Sequence, residues 1–492
     1  MVESCFIIFP NQLYEDFVYL SKLQKYKTIY IIEEPIYFYD PEYRPVKPNK
    51  IKIAYMRACM KYYANWLHSQ IKKQNVIYID YDQVVEQKYS FLQSYSSINY
   101  FETTDKDLDV KLEKHIKQPK VILPSPSFMM SIEQLRAYNS NHKTPKHASF
   151  YDFVKSELKI LEGVKNQDKY NRKALPENIS IPKQFPNDFS RGSTDVRQIY
   201  EEAIHYAKTK FTSHIGDAES LYLYPITHKD AYSSLEYFVN TKLQNFGPYQ
   251  DAILQDEPFI FHSVLSPMLN IGLLDPSKVL HRVLIEKQRV SLNSLEGFIR
   301  QLVGWREYMR YIYLFKVTNY TPNLPKNKYF FKTPQPWYNG STGVSIIDNE
   351  ITKAIKYGYA HHIVRLMVFM NFFILCQLHP DQIYKWFMEV VSIDAYDWVM
   401  KSNIYSMGFF TKTGMHKPYI STSNYLLRMS NYKKDGNWDV LWTSLFYNFL
   451  KQKSEEAPGY VAFYKRLLKK ASKHLPQYTI RSKSFTTKVV IV

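Results

Sequence analysis

The sequence predicts a two-part fold: a parallel α/β domain at the N-terminus, then an almost wholly helical domain. Three observations carry this. Short β-rich runs alternate with helical periodicity over residues 1–130. Residues 131–195 are broken by proline and asparagine and read as a connector. From Asp195 onward apolar residues recur at helical spacing in long segments, giving a helical domain over 196–492. Strands that alternate with helices indicate a parallel sheet.

In chain order, Ser4–Phe9 and Thr28–Glu33 are apolar, β-rich runs. Ile51–Lys72 places Ile53, Met56, Met60, Tyr63, Ala64 and Leu67 at helical spacing. Asn75–Ile79 and Lys120–Leu123 are further strands, and Tyr151–Leu161 is a helix within the connector. The segment Asn187–Thr194 is polar and loop-like. Helices are then expected over Ser233–Leu243, Ser294–Phe315, Ile351–Leu378 and Pro380–Val391. Turns at Leu324–Lys328, Thr333–Gly343 and Thr411–Lys417 separate them.

Composition narrows the class. The chain has 492 residues and a net charge of +18, from 64 Lys and Arg against 46 Asp and Glu. That excess favours a polyanionic partner such as nucleic acid, although membrane surfaces and acidic proteins attract such chains too. The 43 Tyr, 30 Phe and 7 Trp provide thick cores and stacking surfaces. Cys5, Cys59 and Cys376 have no metal-ligand spacing, and three cysteines are too few for a disulfide scaffold. We expect an intracellular, reducing compartment that contains DNA, cytoplasm or nucleus, and no secretion signal. The longest apolar stretch, Ile363–Leu378, contains Arg365 and Asn371 and is too short to span a membrane.

Four segments carry candidate chemistry. In Phe261–Pro276, Ser263 and Ser266 stand at a helix start ahead of Asn270, where free N–H groups suit a phosphate; a capped core helix reads the same way. In Gly297–Tyr313, Arg306 and Arg310 share a helix face near Gln301 and Trp305, which suits phosphates beside an aromatic platform or a plain amphipathic helix. In Tyr359–Phe373, His361 and His362 open an apolar helix and Arg365 follows. A buried Arg needs an acidic partner or an anionic ligand, and paired histidines can supply a proton near neutral pH. In Lys385–Gly408, Asp394 is the candidate partner of Arg365. The basic run Lys465–Lys473 reads as a solvated helix face.

Together these segments, with FPNQLYEDF, IIEEPIYFYD, DKYNRK, GPYQDAI, DAYDWV and KPYISTSNYLLRMSNY, resemble the photolyase/cryptochrome superfamily over nearly the whole chain. The resemblance is to the bacterial photolyase-related branch that carries an iron–sulfur cluster. It implies an α/β, Rossmann-like antenna domain and an all-α domain that binds FAD beside a pocket for a flipped pyrimidine dimer. Residue by residue it places Ser263, Leu265, Ser266 and Asn270 at the flavin diphosphate. Gln301, Trp305 and Arg306 fall on the helix lining the flavin and lesion pocket, and Arg365 and Asp394 form the ion pair beside the flavin ring. His361 and His362 match the paired histidines of (6-4) photolyases, with His362 at the proton-donor position. Trp386 and Tyr338 fall on the electron-transfer route, Tyr338 where the family has Trp, and Phe387 beside Trp386 cannot relay electrons. Met400 stands near flavin N5, where relatives place a polar group. Asn11, Gln12 and Glu33 match contacts to a 6,7-dimethyl-8-ribityllumazine antenna.

One departure concerns metal. The family's four cluster cysteines fall near Ile346, at Lys433, at Gly436 and around Trp442. Without thiolates no [4Fe–4S] cluster can be held, and Trp438 and Trp442 are expected to fill the space. The resemblance therefore implies a cluster-free, monomeric enzyme acting on UV-damaged DNA, with the (6-4) photoproduct as the expected lesion. The alternative is a cryptochrome-like blue-light photoreceptor without repair activity.

Overall fold

The computed structural model describes residues 3–142, 146–182, 189, 192–317, 329–407, 419–456 and 460–489. The expected turns at Leu324–Lys328 and Thr411–Lys417, and part of the Asn187–Thr194 loop, lie outside the described residues.

Five parallel strands form one sheet: β1 Ser4–Ile8, β2 Thr28–Ile32, β3 Asn75–Ile79, β4 Ser97–Phe101 and β5 Lys120–Leu123. Their spatial order is β3-β2-β1-β4-β5, the doubly wound arrangement. Strands β1 and β2 are apolar along their length because both faces are covered. Strand β4 does not stand out in the sequence, since Ser97 and Asn99 interrupt its apolar run. Asn99 is nevertheless buried; its Nδ2 donates to the Cys5 carbonyl at 3.0 Å and its Oδ1 accepts from the Tyr26 hydroxyl at 3.2 Å.

The helix Lys50–Gln70 covers the sheet. The helix Thr194–Lys210, whose periodicity assigns it to the helical domain, packs along it instead, and Arg57 pairs with Glu202 at 2.6 Å. Most helices from Pro336 onward enclose a second core that includes Trp337, Trp386, Trp438 and Trp442, whereas the helices between His228 and Val317 join the first. Trp305 and Val399 pack against both cores.

Two expected helices differ in detail. The stretch 292–317 is helical throughout but contains π-helical turns at Arg300–Trp305 and Tyr313–Val317. The expected continuous helix Ile351–Leu378 is broken. Ser345–Tyr357 ends at Gly358, whose φ of +60° is left-handed, and a new helix with a π turn at Val364–Met370 follows. Glycine is required there, because a Cβ would sit 2.3 Å from Ile51 Cγ2.

The two halves meet over the loop Ser392–Asp397. From the N-terminal half, Asn49 N donates to Ser392 Oγ at 3.2 Å and Lys52 Nζ donates to the Ala395 carbonyl. Arg44 reaches Asp397 at 3.7 Å and Asp105 at 2.5 Å. From the helical half, the Tyr313 and Tyr384 hydroxyls donate to Asp397 at 2.5 and 2.6 Å, and Lys401 pairs with it at 2.9 Å. Burial raises the Asp397 pKa, but Arg44 and Lys401 outweigh it and hold the group below the usual carboxylate range.

Asn49 also caps the Lys50–Gln70 helix, its Oδ1 accepting from Ile51 N at 3.1 Å and its Nδ2 donating to the Ile355 carbonyl at 2.8 Å. Gly216, at φ +78°, lies against it: a Cβ would fall 2.0 Å from Asn49 Oδ1. Gly216→Ala should therefore cost about 2–4 kcal/mol in urea unfolding, through lost capping and displaced packing. Gly163→Ala, at φ +70° with nothing within 4 Å, should cost only the backbone strain of about 1–2 kcal/mol. Equal costs would show that the Asn49 junction is not under this constraint.

Candidate active site

A cavity opens between the two cores, with about 1340 Å³ of space not filled by protein atoms, part of it open to solvent. Its walls come from the turn around Ser263, the 292–317 helix, the segment 359–370 and the helix Asp397–Met407. The turn is strained: Val264, β-branched, has φ +52°. Such strain persists only where the surroundings over-determine it, and it clusters at functional sites. The π turn at Arg300–Trp305 brings Gln301, Trp305, Arg306 and Met309 onto one wall together.

Arg365 and Asp394 pair as the burial argument requires, Nη2 to Oδ1 at 2.7 Å. Asp394 is tied on every side. Its Oδ2 accepts from the Ser266 hydroxyl and its carbonyl from Asn270 Nδ2 at 2.9 Å. Asn270 Oδ1 in turn accepts from Arg306. Ser266 and Asn270, expected at a diphosphate, thus line the cavity while holding Asp394. Ser263 lines the same wall; Leu265 is buried beside it but is not part of the cavity surface.

The two arginines of the 292–317 helix have different fates. Arg306 lines the cavity, with its guanidinium 5.1 Å from the Phe128 and Trp398 rings, and burial lowers its pKa to about 10. Arg310 is not a phosphate-gripping partner. It is buried, pairs with Glu102 at 2.6 Å and donates to the Met130 carbonyl at 2.7 Å. The acid that neutralises it comes from the end of β4, which the helix sequence alone cannot reveal.

His361 and His362 both reach the cavity, and they have company. The His262 ring stacks on His361 at 3.8 Å and 14°. Its Nε2 faces the Gln250 carbonyl at 2.9 Å, while the Nδ1 atoms of His262 and His361 and Nε2 of Gln250 are buried without protein partners among the described residues. Sequence reasoning overlooked His262, Gln250 and Tyr359, whose ring lies 5.2 Å from the Arg365 guanidinium. A lone histidine in an apolar segment gives no signal until its neighbour is known. Burial lowers the pKa of His262 and His362 to about 4 each and holds His361 well below its ordinary value. All three are neutral at pH 7.

A second hollow adjoins the first. Gln301, Trp305, His362 and Asp251 line both, and the second adds His147, Arg172, Arg300 and Tyr419. Arg172, at φ +60°, pairs with Asp168 at 2.8 Å. Polar and charged groups line this second hollow, whereas the first is mostly apolar.

Met400 and Phe387 lie on the cavity wall. Trp386 lies behind Phe387, with ring centroids 5.3 Å apart, and its Nε1 donates to the Trp337 carbonyl at 2.7 Å. Tyr338 donates its hydroxyl to Glu389 at 2.8 Å.

The antenna candidates sit at the C-terminal ends of the strands. Glu33 is fully buried and accepts from Arg57, the Tyr78 hydroxyl and Tyr81 N. Gln12 donates to the Phe101 carbonyl at 2.8 Å. Both are engaged internally, whereas Asn11 Oδ1 is buried without a protein partner among the described residues.

At the expected cluster positions, Ile346 is fully buried, Trp438 Nε1 donates to the Lys433 carbonyl at 3.0 Å and Trp442 Nε1 to the Ser421 carbonyl at 3.0 Å. The three cysteines lie buried and apart, Cys5 in β1, Cys59 in the helix Lys50–Gln70 and Cys376 just beyond the helix that ends at Leu375, and burial pushes the Cys5 thiol up to about 12. Among the described residues the only grouping of three possible metal-ligating side chains is Asp105, Asp107 and Asp397, which Arg44 and Lys401 already engage in ion pairs. No helix among them is long and apolar enough to cross a membrane.

Two measurements test this geometry. Asp394→Asn should destabilise by about 3 kcal/mol, because Arg365 is left buried without its counter-charge. The double replacement Arg365→Met/Asp394→Leu should cost less than the single change; the reverse order would show that the pair is not electrostatically strained. The histidines give the second. His147, His214, His228, His262 and His362 all have pKa values lowered to about 4. The unfolded chain binds these protons near pH 6.5, so stability is complete above pH 6.5 and falls as the pH drops towards 4. Urea midpoints should decline steeply over that window, and the His362 ring should not titrate by NMR between pH 8 and 5.5.

Residues 6–222 match the family of deoxyribodipyrimidine photo-lyase-related proteins, and residues 298–457 match the FAD binding domain of DNA photolyase. The (6-4) photolyase of Agrobacterium fabrum (strain C58 / ATCC 33970) is 32% identical over 355 residues, 67% of this chain and 67% of that protein. A bacterial class III photolyase from Agrobacterium tumefaciens superposes with a TM-score of 0.53 at 16% identity, over 99% of this chain and 98% of that one. The Synechocystis sp. PCC6803 cryptochrome gives 0.54 at 15% identity, over 95% and 90%. At such identities the two structures establish the shared fold.

Proposed function

The chain belongs to the photolyase/cryptochrome superfamily, in its deoxyribodipyrimidine photo-lyase-related branch, and on that premise we propose that it is a light-driven DNA photolyase that repairs UV-induced pyrimidine dimers, the (6-4) photoproduct ahead of the cyclobutane dimer. The observation that carries this is the pair of adjoining hollows with His362, Trp305 and Gln301 on their common wall. One hollow suits a cofactor and the other a flipped pyrimidine dimer, two joined bases of one DNA strand.

The first hollow fits FAD. Buried polar atoms on His262, His361 and Gln250 await partners, the wall is largely apolar, and a guanidinium–carboxylate pair is already in place. Arg365 and Asp394 would lie beside the ring system and Ser263 towards the diphosphate, with Arg306 supplying positive charge. Bound FAD supplies the photo-excitable electron donor. The protein excludes water, orients the lesion against the cofactor and offers a proton. His362 is the donor in this reading. Burial keeps it neutral, so the anionic DNA backbone must raise its pKa before it can give a proton.

Asn11 supports a 6,7-dimethyl-8-ribityllumazine antenna in the N-terminal domain, whereas Gln12 and Glu33 do not. The absence of thiolates supports a cluster-free enzyme, with no step routed through iron. We propose that it acts as a monomer. A cryptochrome-like photoreceptor is the second reading, favoured by Phe387 and Met400 on the cavity wall, where a redox-inert ring and an apolar side chain would alter electron supply and flavin protonation.

The test is repair of two defined oligonucleotides, one with a (6-4) photoproduct and one with a cyclobutane dimer, by purified yellow protein under blue light. Restoration of the (6-4) substrate is expected. Repair of neither lesion would reject the enzyme and favour the photoreceptor. His362→Ala should lower (6-4) repair by about 10²–10⁴-fold with FAD retained, the usual worth of a general acid.

A further inference from the structure

Glu389 is a buried carboxylate that the reading above leaves without a role. It is 6% exposed, lies one turn beyond Trp386 on the helix Pro380–Val390, and forms no contact ion pair among the described residues. Its two hydrogen-bond donors are Lys47 N, at 3.0 Å on Oε1, and the Tyr338 hydroxyl, at 2.8 Å on Oε2. Burial raises its pKa and Lys47, Tyr338 and Lys385 oppose that rise. An acid of this kind is poised to take a proton.

Tyr338 also has a route inward. Trp386 Nε1 donates at 2.7 Å to the carbonyl of Trp337, the carbonyl of the peptide that joins Trp337 to Tyr338. One hydrogen bond and a short run of covalent bonds thus link the Trp386 indole to the Tyr338 phenol. Trp386 and Trp337 both pack on Phe373, at 4.8 Å each. Trp386 also touches Phe387, which forms the cavity wall. Tyr338 itself is half-buried, so the path runs from the cavity towards solvent.

We propose that Glu389 is the proton acceptor that makes Tyr338 an electron donor to Trp386, so that the two residues together end the electron-supply route to the cavity. The proposal rests on the reading that FAD occupies that cavity. Oxidised flavin held in the cavity would, on excitation by light, supply the oxidising power for one electron to leave Trp386. One electron then leaves the Tyr338 phenol and refills the indole. The phenolic O–H bond breaks, its proton crosses to Glu389 Oε2, and a carboxylic acid and a neutral tyrosyl radical result. A phenol needs this acceptor because its oxidised form cannot keep the proton; an indole can be oxidised while retaining its own. Direct hydrogen bonding at 2.8 Å meets the geometric requirement for a base. Where relatives place Trp, a Tyr here gains a carboxylate partner.

The experiment uses the purified holoprotein with oxidised flavin, illuminated and freeze-quenched. Wild type should show a tyrosyl radical by EPR, and a light-minus-dark infrared difference should show a new carboxylic acid. Tyr338→Phe should abolish both signals, and Glu389→Gln should cut the radical yield at least fivefold and remove the infrared band. Tyr338→Trp should restore electron supply, and adding Glu389→Gln to it should then change nothing. A full tyrosyl signal in Glu389→Gln overturns the proposal. So does an equal loss on adding Glu389→Gln to Tyr338→Trp, which would make Glu389 merely structural. Protein that purifies without flavin overturns the reading beneath the proposal, and absorbance distinguishes that failure from the others.

Discussion

The loop Ser392–Asp397 carries two buried carboxylates, and the need to compensate them governs how the molecule is put together. An ion taken out of water loses several kcal/mol of hydration even after the protein relaxes, so each carboxylate must be met by cations and donors in good geometry. Asp394 is met by Arg365 and Ser266, and Asp397 by Arg44, Lys401, Tyr313 and Tyr384. These partners come from both halves of the chain. Satisfying two charges on one short loop therefore fixes the α/β half against the helices and sets the cavity wall in the same step. Lys52 adds to the constraint: it is fully enclosed, bonded to the Ala395 carbonyl with its ammonium 4.4 Å from the Tyr396 ring, and burial lowers its pKa to about 7.

The sequence makes visible those features whose cause is local. Strands β2, β3 and β5 are continuous β-rich runs, and they form where expected. Strand β4 is hidden because Asn99 looks like a loop residue until the Cys5 carbonyl and the Tyr26 hydroxyl are brought to it. Helical periodicity identifies 292–317, but a π turn differs from an α turn by one residue and leaves almost no compositional trace. Gly358 interrupts a run that reads as one helix, and its reason, the closeness of Ile51, lies some 300 positions earlier in the chain.

The same distinction holds at the site. The cost of a lone buried Arg points to the Arg365–Asp394 pair, because both residues stand in apolar segments; Asp397, three residues on, is taken up by Arg44 and Lys401 instead. Arg310 offers the opposite lesson: it looks free on its helix, and Glu102 settles it from a different domain. Trp438 and Trp442 fall between these cases. Their size makes them good space-fillers on any reading, but only the structure shows each indole N–H satisfied by a backbone carbonyl, which lets so large a polar-tipped ring be buried at little cost.

What remains is the net charge of the cavity. The three histidines are neutral at pH 7, and Arg365 is balanced by Asp394. Arg306 is different. Its pKa, lowered to about 10, still leaves it charged, yet its partners are the Asn270 amide, the Leu269 and Ser127 carbonyls and two aromatic faces. Among the described residues it forms no ion pair. Its hydrogen bonds all go to neutral groups, with the buried Glu307 carboxylate acting on it without direct contact, so burying this guanidinium is a folding cost that an anion in the cavity would offset. The diphosphate of a dinucleotide cofactor is such an anion. Binding it would then stabilise the fold through the same charge that recognises it, which couples cofactor retention to the integrity of the interdomain wall on which Arg306 lies.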